Sequence, residues 1–570
     1  MAVFLSSARY TGISRQALFH ARNALTQAVP LYFLLPENRQ DCHGNKRITI
    51  LENIATRQVY LPYYRQQSLL IIFASRPMKT HSPQRIAIIG GGFSGVVTAL
   101  KLIEASAQPL DIVLFESTHE IGRGIAYSSA NHEHLVNGPA RLFGLYPHQP
   151  LHLVEWLTAN ALAYDWQPPT GVAFENSFPP RWIFGAYVQA SLQAALLAAG
   201  MRIRLQTVQA RVIDLQQSGT QYAITTASAG TWQADRVVLA TGLFRPQAGQ
   251  AFEVDAALAP AADGSARLID DVWREGVWND IERAASVLII GSSLTALDAI
   301  LSAEKQGFTG NYIAVSRRGL LVKRREDVEP WPDVLQPGKL PGSLRALLRT
   351  VQQARHAIRA GGYHWQRLPG AVRPHLPQLW ANATARDKQR FLRHLRPYWE
   401  IALHRAAPES GNKFEKIVAS GRYQQQSGRI VAVRSLDNGK IEVDWRDRST
   451  QEVHSVQVDR VVNAQGYEFD WRKIDDALIS NVLRRALVHI HATGFGIDTA
   501  ADSGAVLDAA KRPSTRLFAV GHPVRGVVWE SNSIPEQVAG ATATAQAIAA
   551  LIAQQTEHAS EQATLLSAQA

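Results

Sequence analysis

Residues Arg85 to Gly95 constrain the chain more tightly than any other stretch. Four apolar residues, Ile86-Ala87-Ile88-Ile89, run straight into Gly90-x-Gly92-x-x-Gly95, with Ser94 just ahead of the third glycine. Val96 to Leu102 then continues with helical character. Such a run reads as a buried parallel strand, a tight turn and the first turn of a helix. One glycine makes the turn, one lets backbone approach a pyrophosphate, and one lets helix pack on strand. The helix N-terminus supplies unpaired N–H groups and the positive end of a dipole for phosphates. Asp111 to Glu116 reads as the next strand and ends in an acid 26 residues after Gly90, where a carboxylate can accept from a ribose hydroxyl.

Composition narrows the class. At 570 residues the chain has room for two to four domains, and its 46% hydrophobic and 19% charged residues describe an ordinary globular protein. The net charge of +11 points to nucleic acid until it is located. Residues 1–77 hold nine Lys and Arg against three Asp and Glu, which leaves +5 spread over the rest. An excess that mild suits dinucleotides and anionic substrates equally well. The single cysteine, Cys42, excludes a disulfide framework, a thiolate zinc cluster and a CxxC redox pair. No unbroken apolar run approaches the ~18 residues of a membrane span, so no membrane is expected and a cytoplasmic body is. No histidine has a matched ligand set, so no metal is expected.

Residues 1–77 read differently from the remainder, with no clear period and no acid before Glu37. Met78-Lys79-Thr80-His81-Ser82-Pro83-Gln84 has the look of a start placed just ahead of a nucleotide-binding first strand. The expectation is that residues 1–77 are a disordered extension or a mis-assigned start, against the alternative of an arginine-rich targeting leader.

Ile121-Gly122-Arg123-Gly124-Ile125-Ala126-Tyr127 and His134-Leu135-Val136-Asn137-Gly138-Pro139 follow the ribose acid. Gly124 permits close approach to a ligand, and Arg123 is a candidate for the pyrophosphate or for a surface ion pair. Asn137 carries the donors and acceptor that a flavin edge needs, in a turn where Asn is common anyway. Residues 151–200 read as mostly helical, with Trp156 and Trp182 in the core. Met201 to Gln206 and Val208 to Leu215 read as strands, and 222–226 with 231–233 as a hairpin. Arg236 to Gly242 is a buried strand whose Thr241-Gly242 end must pass close to something.

The strand, turn and helix logic then repeats. Ser286 to Ile290 leads into Gly291-Ser292-Ser293-Leu294-Thr295-Ala296-Leu297-Asp298, with Ser293 and Ala296 in place of two glycines. Alanine is an accepted third-position residue, and a serine hydroxyl can bond phosphate. The following strand, Tyr312 to Ser316, ends in Ser316-Arg317-Arg318 with no acid. Arginines there accommodate a 2′-phosphate and favour NADP(H) over NAD(H). The competing reading is a solvated basic loop continued by Lys323, Arg324 and Arg325.

From 330 to 410 the chain reads as a proline-punctuated loop followed by helices at 344–360 and 385–406, the second kinked or split by Pro397. Its Lys388, Arg390, Arg393, Arg396 and Arg405 suit a substrate lid, an interdomain helix or nucleic acid. Strands are expected at 417–418, 430–433, 441–445 and 459–463. Leu517 to Gly521 then leads to Trp529-Glu530-Ser531-Asn532-Ser533, a helix over 535–553 and a loose tail from 554.

One nucleotide site, a second inserted after the Ala-Thr-Gly strand, then a return to the first domain describes a two-dinucleotide flavoprotein. The expected class is α/β, with two Rossmann-like domains, the NAD(P) domain inserted into the FAD domain, plus a helical insertion. The boundaries read as 78–270 for the first part of the FAD domain and 271–465 for the NAD(P) domain, with the insertion at about 330–410. Residues 466–553 return to the FAD domain and 554–570 form the tail.

The chain from about Met78 to Ala553 resembles the FAD/NAD(P)-binding oxidoreductases, distant relatives of flavin monooxygenases and N-hydroxylases. The resemblance is carried by Gly122 to Tyr127, His134 to Asn137, Gly291 to Asp298, Ser316 to Gly319, Phe391 to Trp399 and Trp529-Glu530. It implies FAD along Gly90, Gly92, Ser94, Gly95, Glu116, Arg123, Gly124, Asn137, Thr241, Gly242, Gly521 and Trp529. It implies NADPH, in preference to NADH, along Gly291, Ser293, Leu294, Ser316, Arg317 and Arg318. The expected reaction is hydride transfer from NADPH to FAD and on to O₂ or a small organic acceptor. His522 and Glu530 are candidate proton handlers with even odds of shaping the pocket instead, and no residue is assigned as catalytic. A small-molecule substrate is implied, nucleic acid is not expected, and no motif sets the oligomeric state. The alternative is an FAD-containing RNA- or protein-binding protein with little turnover.

Overall fold

The computed structural model describes residues 83–570, except 119, 247–250, 259–265, 333, 337 and 570, and two strands ahead of them. Those two, Leu35–Gln40 and Lys46–Thr49, pair antiparallel within the first unit of the chain, Met1–His81. The rest of residues 1–77, and with it the expectation of a start at Met78, lies outside the described residues.

Everything from Ser82 on forms the second unit. Its first sheet is built on β1 (Gln84–Ile89), α1 (Phe93–Ala105), β2 (Leu110–Glu116), α2 (Arg181–Ala199), β3 (Ile203–Gln209) and β4 (Arg236–Leu239). The strand order is Ala505–Leu507, β9 (Pro513–Ala519), β4, β1, β2, β3. All pairings are parallel except the one at the Ala505–Leu507 edge. Ile86, Ile88, Ile112 and Leu114 face one hydrophobic cluster and Ala87, Ile89, Val113 and Phe115 face another, which is why these strands are continuously apolar instead of alternating. β1 lies between β2 and β4, so the chain order reverses on either side of it. A crevice opens at the carboxyl ends of the strands at such a point.

The second sheet repeats the plan. Strand Leu268–Ile269, then β8 (Arg460–Asn463), β5 (Ser286–Ile290), β6 (Asn311–Ser316) and β7 (Tyr423–Ser435) run parallel. Ile441–Asp447 and Val453–Val458 extend it antiparallel. Helix α3 (Leu294–Lys305) connects β5 to β6, and Glu253–Val254 adds to β7. The chain therefore enters this sheet at Glu253, earlier than the boundary at 271 read from sequence. Two-residue strands are too short to show a period.

Between β6 and β7 lies the helical insertion. Leu344–Ala360 matches expectation. The basic helix is split as Pro397 requires: Ala385–Arg390, a π-helical turn Phe391–Leu395, then Arg396–Leu403 with the proline in its first turn. Ile417 and Val418 do not form a strand. They close helix Pro408–Ala419, which Pro408 starts and Ile417 anchors by burial.

The last helix, α4 (Ile534–Gln569), runs past residue 553, so the expected loose tail is helical. No glycine or proline falls between 541 and 569 to stop it. Its buried Ile534, Val538, Ala541, Ala545, Ile548 and Ile552 form one stripe in the same cluster as α1. The helix over Arg181–Arg202 is long and apolar enough to cross a membrane by length and composition, although polar residues interrupt its apolar run. Its Ile183, Phe184, Tyr187, Val188 and Leu192 are buried in the first-domain core.

Candidate active site

Gly90 holds φ +110°, and a Cβ there would fall well inside 3.0 Å of Ala240 O. Its N–H donates to Phe115 O at 3.0 Å. A Cβ on Gly95 would meet Gly90 O just as closely. The turn is thus squeezed between β2, β4 and its own helix, and only glycine fits. The loop after β2 packs on it: Gly122 N–H donates to Gly91 O at 2.7 Å, and a Cβ on Gly124 would lie 3.2 Å from Gly92 Cα. No side chain caps the first turn of α1. Glu116 Oε2 accepts from Gly91 N at 3.1 Å, and its Oε1 from Ser117 N at 2.8 Å and Thr118 N at 2.9 Å. The strand-end acid is therefore fixed against the glycine turn.

Two more elements reach the same corner. Gly521, with φ +72°, abuts Ser94, whose hydroxyl donates to Gln537 Oε1 in the first turns of α4. Gly242 holds φ +71°, and the buried Thr241 Oγ1 has no hydrogen-bond partner among the described residues. An uncapped helix start, a glycine cradle and an orphaned hydroxyl fit a bound dinucleotide.

The second site copies the first. Gly291 holds φ +119°, and its Cβ would fall on Ala464 O as that of Gly90 would on Ala240 O. Gly291 N–H donates to Val315 O at 2.9 Å, and Ala464 N–H to Ile290 O at 2.8 Å. Ser293 stands at the N-cap of α3, ahead of Leu294, without a side-chain capping bond. At the end of β6, Ser316 Oγ accepts from Gln425 Nε2 at 3.2 Å. Arg317 is exposed. Arg318 instead donates to Arg393 O at 3.2 Å and lies over the Tyr398 ring at 5.5 Å. Arg317 makes no side-chain hydrogen bond among the described residues, with partial burial and the nearby Arg396 and Arg318 holding it below the ordinary arginine value, whereas Arg318 is held by the helical insertion.

Three predicted residues sit in other company. Arg123 donates to Glu120 Oε2 at 2.8 Å and to Trp182 O at 3.0 Å, which ties it to the loop after β2 and to α2. Trp529 is enclosed by Trp380, Phe391 and Phe495 at 4.9, 5.4 and 5.5 Å, with Arg525 over its face at 4.7 Å. Its buried Nε1 has no partner. The side chain of Asn137 makes no hydrogen bond among the described residues, while its carbonyl accepts from Arg325 at 3.4 Å.

His134 and Asp298, quoted as motif residues, join the two domains. Asp298 is buried and takes both guanidinium nitrogens of Arg181, the longer at 3.1 Å, plus Trp273 Nε1 at 3.0 Å. His134 Nε2 lies 3.1 Å from Asp298 O and 2.9 Å from Ser302 Oγ, and Nδ1 lies 2.7 Å from Ser129 Oγ. A carbonyl only accepts, so Nε2 carries the proton and Nδ1 accepts from the serine. Burial holds the His134 imidazole below its ordinary value, outweighing the pull of Asp298, in keeping with that neutral tautomer. A charge within an apolar helix face was the available clue to this latch.

Near α4, burial and Arg525 push His522 down to about 3. Glu530 Oε1 accepts from Trp399 Nε1 at 2.7 Å, and its buried Oε2 lies 3.8 Å from His404 Nε2 with no hydrogen-bond partner among the described residues.

Residues 87–244 match the FAD-NAD(P)-binding family. No curated protein matches the sequence. Among solved structures, an ornithine N-hydroxylase from Kutzneria sp. 744 is similar at TM-score 0.51 and 13% identity, over 83% of this chain and 100% of that one. An ornithine hydroxylase from Pseudomonas aeruginosa is similar at TM-score 0.54 and 15% identity, over 82% and 99%. An FAD-bound cadaverine monooxygenase from Erwinia amylovora gives 0.52 and 13%, over 82% and 95%. At these identities the likeness establishes the fold alone, a mixed α/β chain with parallel sheets, as expected from the sequence.

Proposed function

We propose that this protein is an FAD-dependent NADPH oxidoreductase of the monooxygenase-like kind, acting in the cytoplasm on a small molecule. The observation that carries the reading is the duplicated glycine geometry, Gly90 against Ala240 O and Gly291 against Ala464 O, on one nested chain. FAD would occupy the first site and NADPH the second, supplying hydride transfer and delivery of electrons to O₂ or an organic acceptor.

The chain's own residues would bind and orient. Gly90, Gly92, Ser94 and Gly95 bring backbone to the pyrophosphate, with Gly124 closing over them and Gly242 and Gly521 leaving room. Glu116 faces the ribose, and the free amide of Asn137 serves the polar edge of the flavin. Thr241 gains the partner it lacks. Arg123 and Trp529 act one step back, by fixing the loop and the aromatic wall. In the second site Gly291, Ser293 and Leu294 form the phosphate turn, Ser316 lines it, and Arg317 meets the 2′-phosphate. His522 is neutral and serves as packing or hydrogen-bonding surface, not as an acid.

The nucleic-acid alternative rests on the insertion's basic residues, of which Arg390 and Arg393 are exposed. Lys388 lies over Trp380 at 5.3 Å, Arg396 over Phe495 at 5.1 Å, and Arg405 is buried. These cations are committed inward.

Anaerobic titration of the purified protein with NADPH, then NADH, tests the reading. Bound flavin should bleach with NADPH at lower concentration than with NADH, and recover when air is admitted. Protein without flavin, or flavin that neither nucleotide bleaches, rejects it.

A further inference from the structure

Four arginines gather where the segment after β6, the helical insertion and the start of α4 meet. Arg373 donates to Ser533 Oγ at 2.8 Å and pairs with Glu536 at 2.8 Å. Arg141 pairs with Asp327 at 2.9 Å and also reaches Asn176. The other two have no carboxylate within ion-pair distance among the described residues. The Arg325 guanidinium donates, among the described residues, only to the Asn137 carbonyl, at 3.4 Å. Arg405 is 6% exposed and donates to Gln366 Oε1, and its buried Nε has no partner.

The backbone fixes this pair in place. Arg325 N–H donates to Ala406 O at 2.9 Å and Ala406 N–H to Lys323 O at 2.9 Å, so the two segments run side by side. Gln366 ties them together, its Oε1 accepting from Glu326 N at 3.0 Å and its Nε2 donating to Arg324 O at 2.7 Å. The four cations also act on one another. Burial, then Arg141 and Arg373, hold Arg325 below the ordinary arginine value, against Asp327. Burial, then Arg325 and Arg373, bring Arg405 down to about 10.

Like charges, one buried and one half-buried, without ion-pair partners cost free energy unless a ligand compensates them. The cluster touches the Asn137 carbonyl on one side and Ser533–Glu536 on the other, both beside the flavin site proposed above. We infer that Arg325 and Arg405 form an anion subsite beside the proposed flavin site and take a small organic dianion as substrate, one carboxylate to each guanidinium that lacks an ion-pair partner. Arginine's fork suits a planar carboxylate. The placement beside flavin rests on the FAD-dependent reading, whereas the anion site itself stands on the arginines. The shared chemistry is that of an anion, and the cofactor's own phosphates are the other source of one.

Sodium malonate is the probe, titrated at constant ionic strength with sodium chloride as balance. The readouts are the thermal unfolding midpoint and, in flavin-loaded protein, the flavin difference spectrum. A saturable rise in midpoint with a flavin perturbation supports the site. Arg325→Gln should weaken half-saturation at least tenfold, and Arg325→Lys, which keeps the charge but loses the fork, should fall between Arg325→Gln and the parent. No response to malonate, or an equal response in Arg325→Gln, overturns it. Malonate is then added to anaerobic NADPH titrations. If it raises the half-saturating NADPH concentration in proportion to its own, the arginines belong to the cofactor phosphates and the substrate assignment fails. The midpoint shift needs no flavin reduction, so failure of the redox reading and failure of the anion site are separately visible.

Discussion

Gly90 and Gly291 hold the same conformation, φ +110° and +119°, with the same obstruction, a carbonyl oxygen at the end of the neighbouring strand. Alanine at either position would be strained by its φ and would also strike a backbone atom that cannot rotate away. Gly90→Ala should therefore purify with little or no flavin. Gly291→Ala should keep flavin that dithionite bleaches while NADPH no longer does, and absorbance titration separates the two. This part of the site was legible because the steric demand of a tight turn falls on consecutive residues. Charge state was not legible, since it depends on what a fold packs around a side chain. His522 shows this: its folded value of about 3 lies far below the ordinary 6.5. The folded state then binds fewer protons than the unfolded state between those values. The stabilising contribution is complete above 6.5 and is lost as pH falls toward 3, by up to ~1.4 kcal/mol per pH unit for one proton. Urea unfolding from pH 7 to 5 should show a shallower pH dependence in His522→Gln than in the parent chain.

At the level of elements, helices α2 and α3 are held by one buried ion pair, Arg181 with Asp298, whose side chains are 14% and 5% exposed. Removing the acid leaves a guanidinium buried without a counter-charge and Trp273 Nε1 without an acceptor. Breaking such a pair from one side costs about 3–5 kcal/mol. Asp298→Ala should lower the urea midpoint accordingly, while Asp508→Ala, in an exposed pair with Arg512, should move it little. Elements with a strong local cause were readable: the glycine turns, the split at Pro397 and the helix starting near Ser533. Those decided by tertiary partners were not. Ile417 and Val418 look like a strand by composition, but Pro408 starts a helix and burial of Phe414 and Ile417 keeps it. The Arg181–Asp298 pair spans 117 residues, and no spacing rule reaches that far.

For the molecule as a whole, the nested order could be read because each domain announces its entry with strand, glycine turn and helix. Its exit is marked just as plainly, by Ala-Thr-Gly in one domain and Ala-Gln-Gly in the other. The helical insertion carries no such repeat, and its effect on the second site emerges only in three dimensions. Sequence presents Arg317 and Arg318 as equivalent strand-end cations. The insertion takes Arg318 for Arg393 O and the Tyr398 ring and leaves Arg317 exposed at the mouth of the second site. Discrimination between NADPH and NADH should then rest unequally on the two. A charge-assisted bond to a phosphate contributes about 1.5–3 kcal/mol, or roughly ten- to a hundredfold in affinity. Arg317→Ala should raise the half-saturating NADPH concentration for anaerobic flavin reduction by about that factor while moving NADH far less. Arg318→Ala should act mainly through the insertion, lowering thermal stability and shifting both nucleotides together. Equal, NADPH-specific losses in the two variants would instead mean that the insertion releases Arg318 when the cofactor enters.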